Sequence, residues 1–181
     1  MGSHAQGGGV ADLPYLYGPM TRLGLLVALV ALVADQASKL WLLYVFDLGA
    51  RGDVALTPFF ALALVWNTGI SYGLFPQDGT VGQWVLFAVK VVAVVMLWIW
   101  LARANSRLIA VALGLIIGGA LGNAIDRVAH GAVVDFALFH ITTATFQFNW
   151  YVFNLADVAI VAGVAAVLYD SLLRSDAAKA P

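Results

Sequence analysis

Two aspartates in this sequence stand where a charge is hard to keep. Asp135 is flanked by Val133-Val134 and Phe136, and Asp157 sits in an apolar run with no basic residue three or four positions away. An isolated ionised carboxylate in such surroundings is unfavourable, so both need partners from elsewhere in the chain. If the two meet, they cannot both ionise comfortably; they share a proton and divide the roles of general acid and general base. That equipment hydrolyses an amide by activating water. The remaining charges have blander readings: Asp35 and Lys39, four apart, make a local ion pair by default, and Asp126 next to Arg127 suits a structural pair at a helix end. Asn123, Asn154 and Arg127 offer donors that could hold backbone or lipid carbonyl groups in place.

The elements that must position these residues are membrane helices. Of 181 residues, 62% are hydrophobic and 10% charged, against about 25% charged in an ordinary soluble domain. A net charge of −1 gives no basic field for nucleic acid. With no cysteine there is no disulfide, thiolate nucleophile or cysteine–metal site. Four stretches approach the roughly 20 apolar residues of a spanning helix, 23–46, 84–102, 108–125 and 152–173. The first exceeds the h-region of a secretory signal and lacks a small-residue cleavage site, so it is expected to stay as a membrane helix. Residues 1–20 read as a flexible tail, 21–174 as a single membrane domain and 175–181 as a second tail. The segments between helices one and two and between helices three and four, the latter with Ile141-Thr142-Thr143 and Phe146-Gln147-Phe148, alternate as short strands do and are expected to form a small β-rich cap. The fold class is therefore an all-α integral membrane protein with four spans and that cap.

Lysine and arginine counts orient it. Arg22, Arg103, Arg107, Arg174 and Lys179 flank one side and Arg51, Arg127 and, at a helix end, Lys39 the other, so both termini should be cytoplasmic and both long insertions outside. Trp41, Trp66, Trp84 and Trp150 then fall near the outer boundary, with Trp98 and Trp100 near the inner one. At 1.5 Å per residue, Asp35 and Lys39 lie ~18 and ~24 Å from the inner end of helix one. Asn123 and Asp126 on helix three, and Asn154 and Asp157 on helix four, reach the same outer level. Gly114, Gly118 and Gly122 recur every four residues on helix three, as close helix packing requires, while Leu113 is expected to face lipid.

Five segments taken in order, Asp35-Gln36-Ala37-Ser38-Lys39, Asn67-Thr68-Gly69, Gly122-Asn123-Ala124-Ile125-Asp126-Arg127, Gly131 through Val134-Asp135-Phe136, and Phe153-Asn154-Leu155-Ala156-Asp157, resemble the successive motifs of lipoprotein signal peptidase, also called signal peptidase II. The resemblance spans residues 22 to 173. It implies a bacterial inner-membrane aspartic endopeptidase, with no cofactor, that cuts a diacylglyceryl-modified prolipoprotein just before the lipidated cysteine, near the outer face. It implies Asp135 and Asp157 as the catalytic pair, and Asp35, Lys39, Asn67, Gly69, Asn123, Asp126, Arg127 and Asn154 as residues that shape the site or contact substrate or membrane lipid. Ile70 and Tyr72 depart from the small residues and Phe usual after the Asn-x-Gly motif, which bears on the shape of the cap. Which aspartate holds the proton, and the oligomeric state, are not legible; a monomer would suffice.

Other readings are weaker. Gly69-Ile70-Ser71-Tyr72-Gly73 matches G-x-S-x-G, with His130 or His140 as base, but that elbow needs a strand–turn–helix in an α/β sheet. A zinc protease lacks its H-E-x-x-H. A small proton- or ion-coupled transporter could use Asp35, Lys39, Asp126 and Asp157 as a relay. Inverted repeats or broken helices would favour it, and neither is evident. Lys90 within helix two has no functional account.

Overall fold

The computed structural model describes residues 16–69, 80–143 and 145–177. Most of the N-terminal tail, Ile70 to Gly73 of the G-x-S-x-G match, and Lys179 lie outside them, as do the side chains of Trp84, Lys90 and Arg174. The chain is mostly helical. Helix α1 runs Thr21–Leu40 and continues as a π-helical turn over Trp41–Val45, closed by Phe46 N–H donating to Trp41 O. A single-turn helix α2 (Leu48–Arg51) follows, entered through Asp47 in the left-handed region at φ 54°. Then come α3 (Thr80–Ala102), α4 (Arg107–His130) and α5 (Leu155–Ala177).

Among the described residues, three helical stretches are long and apolar enough to cross a membrane: Thr21–Val45, Arg107–His130 and Leu155–Leu173, with mean hydropathies of 1.7, 2.2 and 1.8. The apolar stretch found in α3, Val91–Ala102, is shorter. Helix α4 is the central one, because half of its apolar window is buried against 22% and 17% for α1 and α5. It packs on α1, α5 and α3.

The glycine periodicity explains how α4 comes so close to α1. A Cβ on Gly114 would meet Gly24 O at 2.4 Å, one on Gly118 would meet Ala28 O at 2.4 Å, and one on Gly122 would meet Asp35 Oδ2 at 2.5 Å. Gly119 makes the same close approach to α5, at Ala156 O. Leu113 does not face lipid as expected. It is fully buried with Leu101, Ala110 and Ile117 in the interhelical core, because neighbours on three sides leave α4 little lipid-exposed surface.

Two helix ends differ from the apolar runs. Helix α4 continues past Ile125 through Asp126 and Arg127 to Gly131, which ends it at φ 73°. The fourth run starts outside its helix: Phe153 bridges Ala137 in antiparallel pairing, and α5 begins only at Leu155.

The alternating segments form one antiparallel sheet of four strands, ordered β1 (Val54–Thr57), β2 (Phe60–Asn67), β3 (Val133–Thr142), β4 (Gln147–Asn149). Each insertion supplies one hairpin, and the two join through β2 and β3 in a register that pairs Val65 with Asp135 and Asn67 with Val133. A bulge between Leu62 and Val65 interrupts that ladder. The sheet lies where α1 and α4 end and α5 begins. Phe136 and Ala137 of β3 pack there against Leu42 and Leu48 in a second core.

Candidate active site

The start of α5 is built as a capping box. Asn154 Oδ1 accepts from Asp157 N–H at 3.0 Å, and Asp157 Oδ2 accepts from Asn154 N–H at 3.2 Å. This fixes the Asp157 side chain at a helix N-terminus, where the aligned peptide dipoles favour negative charge. Its other oxygen accepts from Asn123 Nδ2 on α4 at 3.0 Å.

Asp135, on β3, is 2% exposed. It accepts from Asn154 Nδ2 at 2.6 Å and from Asn67 Nδ2, at the end of β2, at 3.1 Å. Burial pushes its carboxyl up to about 6, and the nearby charge of Asp157 pushes the same way, against the lowering effect of the two amides and Lys39. Asn154 therefore touches both unpartnered carboxylates, and Asn123 Oδ1 accepts from Asn154 Nδ2 at 3.1 Å. The partners demanded by the apolar surroundings of Asp135 and Asp157 are amides.

Beneath this pair lies a fully buried ionic group. Lys39 Nζ reaches Asp35 Oδ2 at 2.8 Å, Asp126 Oδ2 at 2.7 Å and Asn123 Oδ1 at 3.1 Å, which uses all three ammonium protons. The default pairing of Asp35 with Lys39 is present. The pairing of Asp126 with Arg127 is not: Asp126 faces α1 and takes Lys39, while Arg127 turns the other way. Arg127 Nη1 donates to Asn123 O and Nη2 to Gly69 O, at 3.1 and 3.0 Å. Gly69 N–H in turn donates to Asn67 Oδ1 at 3.1 Å, so Arg127 tethers the segment that carries an Asp135 donor.

All ten residues singled out in the sequence are thus drawn into one connected cluster. One member was missed. Gln36 Nε2 donates to Asp126 Oδ1 at 2.8 Å and to Gly122 O at 3.1 Å. Its signal was an amide in an apolar helix, which needs a buried partner; its neighbours Asp35 and Lys39 drew attention first.

Two cavities flank the pair. An apolar groove of about 870 Å³ is walled by Phe139, Phe148, Phe153, Val158 and Val161, with Asp157 among its lining residues. A more polar cleft of about 380 Å³ is lined by Asn67, Gly69, Asp135 and Tyr151. Trp150 belongs to both. Among the described residues no three His, Asp or Glu side chains form a metal-binding group. His130 packs edge-on against Trp66 at 5.4 Å, and the described sheet is antiparallel throughout, so the serine-elbow geometry finds no scaffold there.

The sequence model of the signal peptidase (SPase) II family matches residues 27–173. The chain belongs to the signal peptidase II family. As a member it is a peptidase, and its apolar helices are those of a bacterial membrane protein. A lipoprotein signal peptidase of Nitrobacter hamburgensis is 66% identical over 160 residues, covering 88% of this chain and 98% of that protein. One from Rhodopseudomonas palustris is 61% identical over the same shares, and one from Beijerinckia indica 56% identical over 86% and 90%. A bacterial membrane enzyme solved by the in meso method at 1.9 Å resolution shares the fold with a TM-score of 0.66, over 87% of this chain and 97% of that one, at 24% identity. A second, at 2.3 Å resolution, gives 0.65 over 88% and 92% at 25% identity. The five segments that carry the resemblance lie within the matched residues, and the structure brings them into one hydrogen-bonded cluster.

Proposed function

We propose that this signal peptidase II is an aspartic endopeptidase that removes the signal peptide from diacylglyceryl-modified prolipoproteins, cutting before the lipidated cysteine, with Asp135 and Asp157 as its catalytic pair. The observation that carries the reading is that buried Asp135 on β3 and half-buried Asp157 on α5 share Asn154 as a donor at the junction of an apolar groove and a polar cleft.

The chemistry follows from that arrangement. The raised proton affinity of Asp135 supports it as the holder of the shared proton, which leaves Asp157 as the base. Asp157 takes a proton from water as its oxygen attacks the scissile carbonyl, while Asp135 gives its proton to the carbonyl oxygen. The tetrahedral diol collapses with proton transfer to the departing amine. No covalent enzyme intermediate forms. The apolar groove suits acyl chains and signal-peptide side chains, and the polar cleft suits the peptide backbone. Asn67, Gly69 and Arg127 shape its wall.

The same reading places α3 as a fourth span, since its 23 residues rise about 35 Å. It makes 21–174 one membrane domain between two tails, puts both termini in the cytoplasm of a bacterial cell with the sheet as an outer cap, and sets the site near the outer face of the inner membrane.

The test is cleavage by purified protein in detergent of one prolipoprotein with and without its diacylglyceryl group, with the new N-terminus read by mass spectrometry. The reading expects cleavage before the lipidated cysteine of the modified substrate. Equal cleavage of both forms, or a cut elsewhere, would contradict it; a transporter would cleave neither.

A further inference from the structure

Asp135 and Asp157 come from different elements, and the chain between them leaves the site through β4 before returning to α5. Their separation is therefore set by cross-links. Apart from Asn154, the links converge on one atom. Lys39 Nζ holds Asp35 Oδ2, and Asp35 Oδ1 accepts from Ala156 N–H at 2.9 Å, the residue before Asp157. Lys39 Nζ also holds Asp126 Oδ2, which accepts from Val134 N–H at 3.1 Å, the residue before Asp135. Its third proton goes to Asn123, whose amide reaches the Asp157 carboxylate itself. Gln36 lies within hydrogen-bond distance of both Asp35 and Asp126, at 3.2 and 2.8 Å, and braces the two arms.

We propose that Lys39 is the hub of a buried three-armed clamp that sets the spacing of Asp135 and Asp157, with Asp35, Lys39 and Asp126 as positioning residues. The inference rests on the catalytic assignment above. Lys39, Asp35 and Asp126 are 2%, 0% and 2% exposed, so none of them meets substrate. Charge-assisted bonds are short and strong, and inside a protein they polarise one another, which makes such a network a stiff spacer. Two arms end on the backbone beside a candidate catalytic residue, so displacing either moves that residue's Cα and not merely its rotamer, while the third ends on the Asp157 carboxylate itself.

Lys39→Met alone would leave two buried carboxylates without a counter-ion. The triple variant Asp35→Asn/Lys39→Met/Asp126→Asn avoids this. It keeps an amide oxygen for each of the two backbone N–H groups, carries no unpaired charge and lacks the hub. Cleavage of a synthetic diacylglyceryl lipopeptide is measured for the triple variant, for Asp35→Asn and for Asp126→Asn, all checked by thermal melting. A misplacement of about 1 Å can cost about 10²-fold in rate. The clamp therefore predicts kcat lower by about 10- to 100-fold with KM within about twofold. It also predicts that the triple variant is little slower than the slower single one, because all three disturb the same spacing. A folded triple variant with wild-type kcat, or losses confined to KM, overturns the clamp. If the triple variant does not fold, a folded single variant with wild-type kcat overturns it equally. Asp135→Asn is measured in parallel: if it stays active the catalytic assignment fails, and if it is inactive beside a fast triple variant the clamp alone fails.

Discussion

Gly118→Ala tests how the site is assembled with the smallest available change. The added Cβ would lie 2.4 Å from Ala28 O, 2.9 Å from Ala31 Cβ and 3.0 Å from Ala28 Cα. Reaching an ordinary contact of 3.4 Å from that oxygen requires a movement of about 1 Å. The atoms met are backbone and a methyl carbon with no rotamer to change, so helix α1 as a whole must retreat from α4. Overpacking of this kind costs about 1–3 kcal/mol. Alanine gains at most about 1 kcal/mol over glycine in helix propensity. With α1 unable to yield locally, the cost should sit at the upper end, for a net loss of about 2 kcal/mol. At about 2–4 °C per kcal/mol for a chain of this size, that is a melting temperature lower by about 4–8 °C. The retreat also stretches Lys39 to Asp126 and Lys39 to Asn123, now 2.7 and 3.1 Å, towards the limit of hydrogen bonding. Activity should fall with stability. The assay is thermal unfolding in detergent with lipopeptide cleavage alongside, and the control is Val128→Ala on the same helix, whose side chain is 76% exposed. A Gly118→Ala protein that melts at or above wild type would refute the packing argument.

Three further outcomes follow from the same geometry. The carboxyl of Asp135 titrates at about 6, above the ordinary value near 3.9. The folded protein therefore binds that proton more tightly than the unfolded chain, and the stability this adds is complete below about pH 4 and lost as pH rises through about 6. Melting temperature should fall over that window relative to Asp135→Asn; parallel curves would contradict the assignment. Asn154→Ala should lose about 1 kcal/mol from the helix cap and most of the activity, whereas Asn154→Ser restores the cap but not the amide bond to Asp135. Recovery of both properties by serine, measured by melting and cleavage, would mean that Asn154 is only a cap. Reporter fusions at Asn105 and Gln147 should report opposite sides of the membrane, and matching sides would overturn the four-span proposal.

Much of this arrangement was visible in the residues. Charges in apolar sequence are conspicuous, so Asp35, Lys39, Asp126, Asp135 and Asp157 stood out, and the common depth of Asp35, Lys39, Asp126 and Asp157 on separate helices agrees with the cluster in which they lie. The alternation of both insertions marked strands correctly. What sequence could not supply was partner choice. Asp126 looked paired with its neighbour Arg127, but adjacent residues on a helix point about 100° apart, and the two side chains serve different elements. The same limit hid the cross-sheet register that sets Asn67 near Asp135. It also hid the backbone donors Val134 and Ala156, since every residue but proline carries an identical N–H. Leu113 was misplaced because a leucine in an apolar helix looks the same toward lipid and toward core.

The central claim is that Asp135 and Asp157 work as one acid–base unit. Asparagine keeps the size of aspartate but cannot exchange the proton, so each single variant loses a step worth about 10²–10⁴-fold in rate. The deciding measurement is kcat for cleavage of a diacylglyceryl-modified prolipoprotein by purified Asp135→Asn, Asp157→Asn and the double variant, each shown by melting to be folded and by binding to retain the substrate. The account predicts that either single variant is slowed by at least about 10²-fold and that the double is little worse than either. A folded single variant cleaving at near wild-type rate would contradict it.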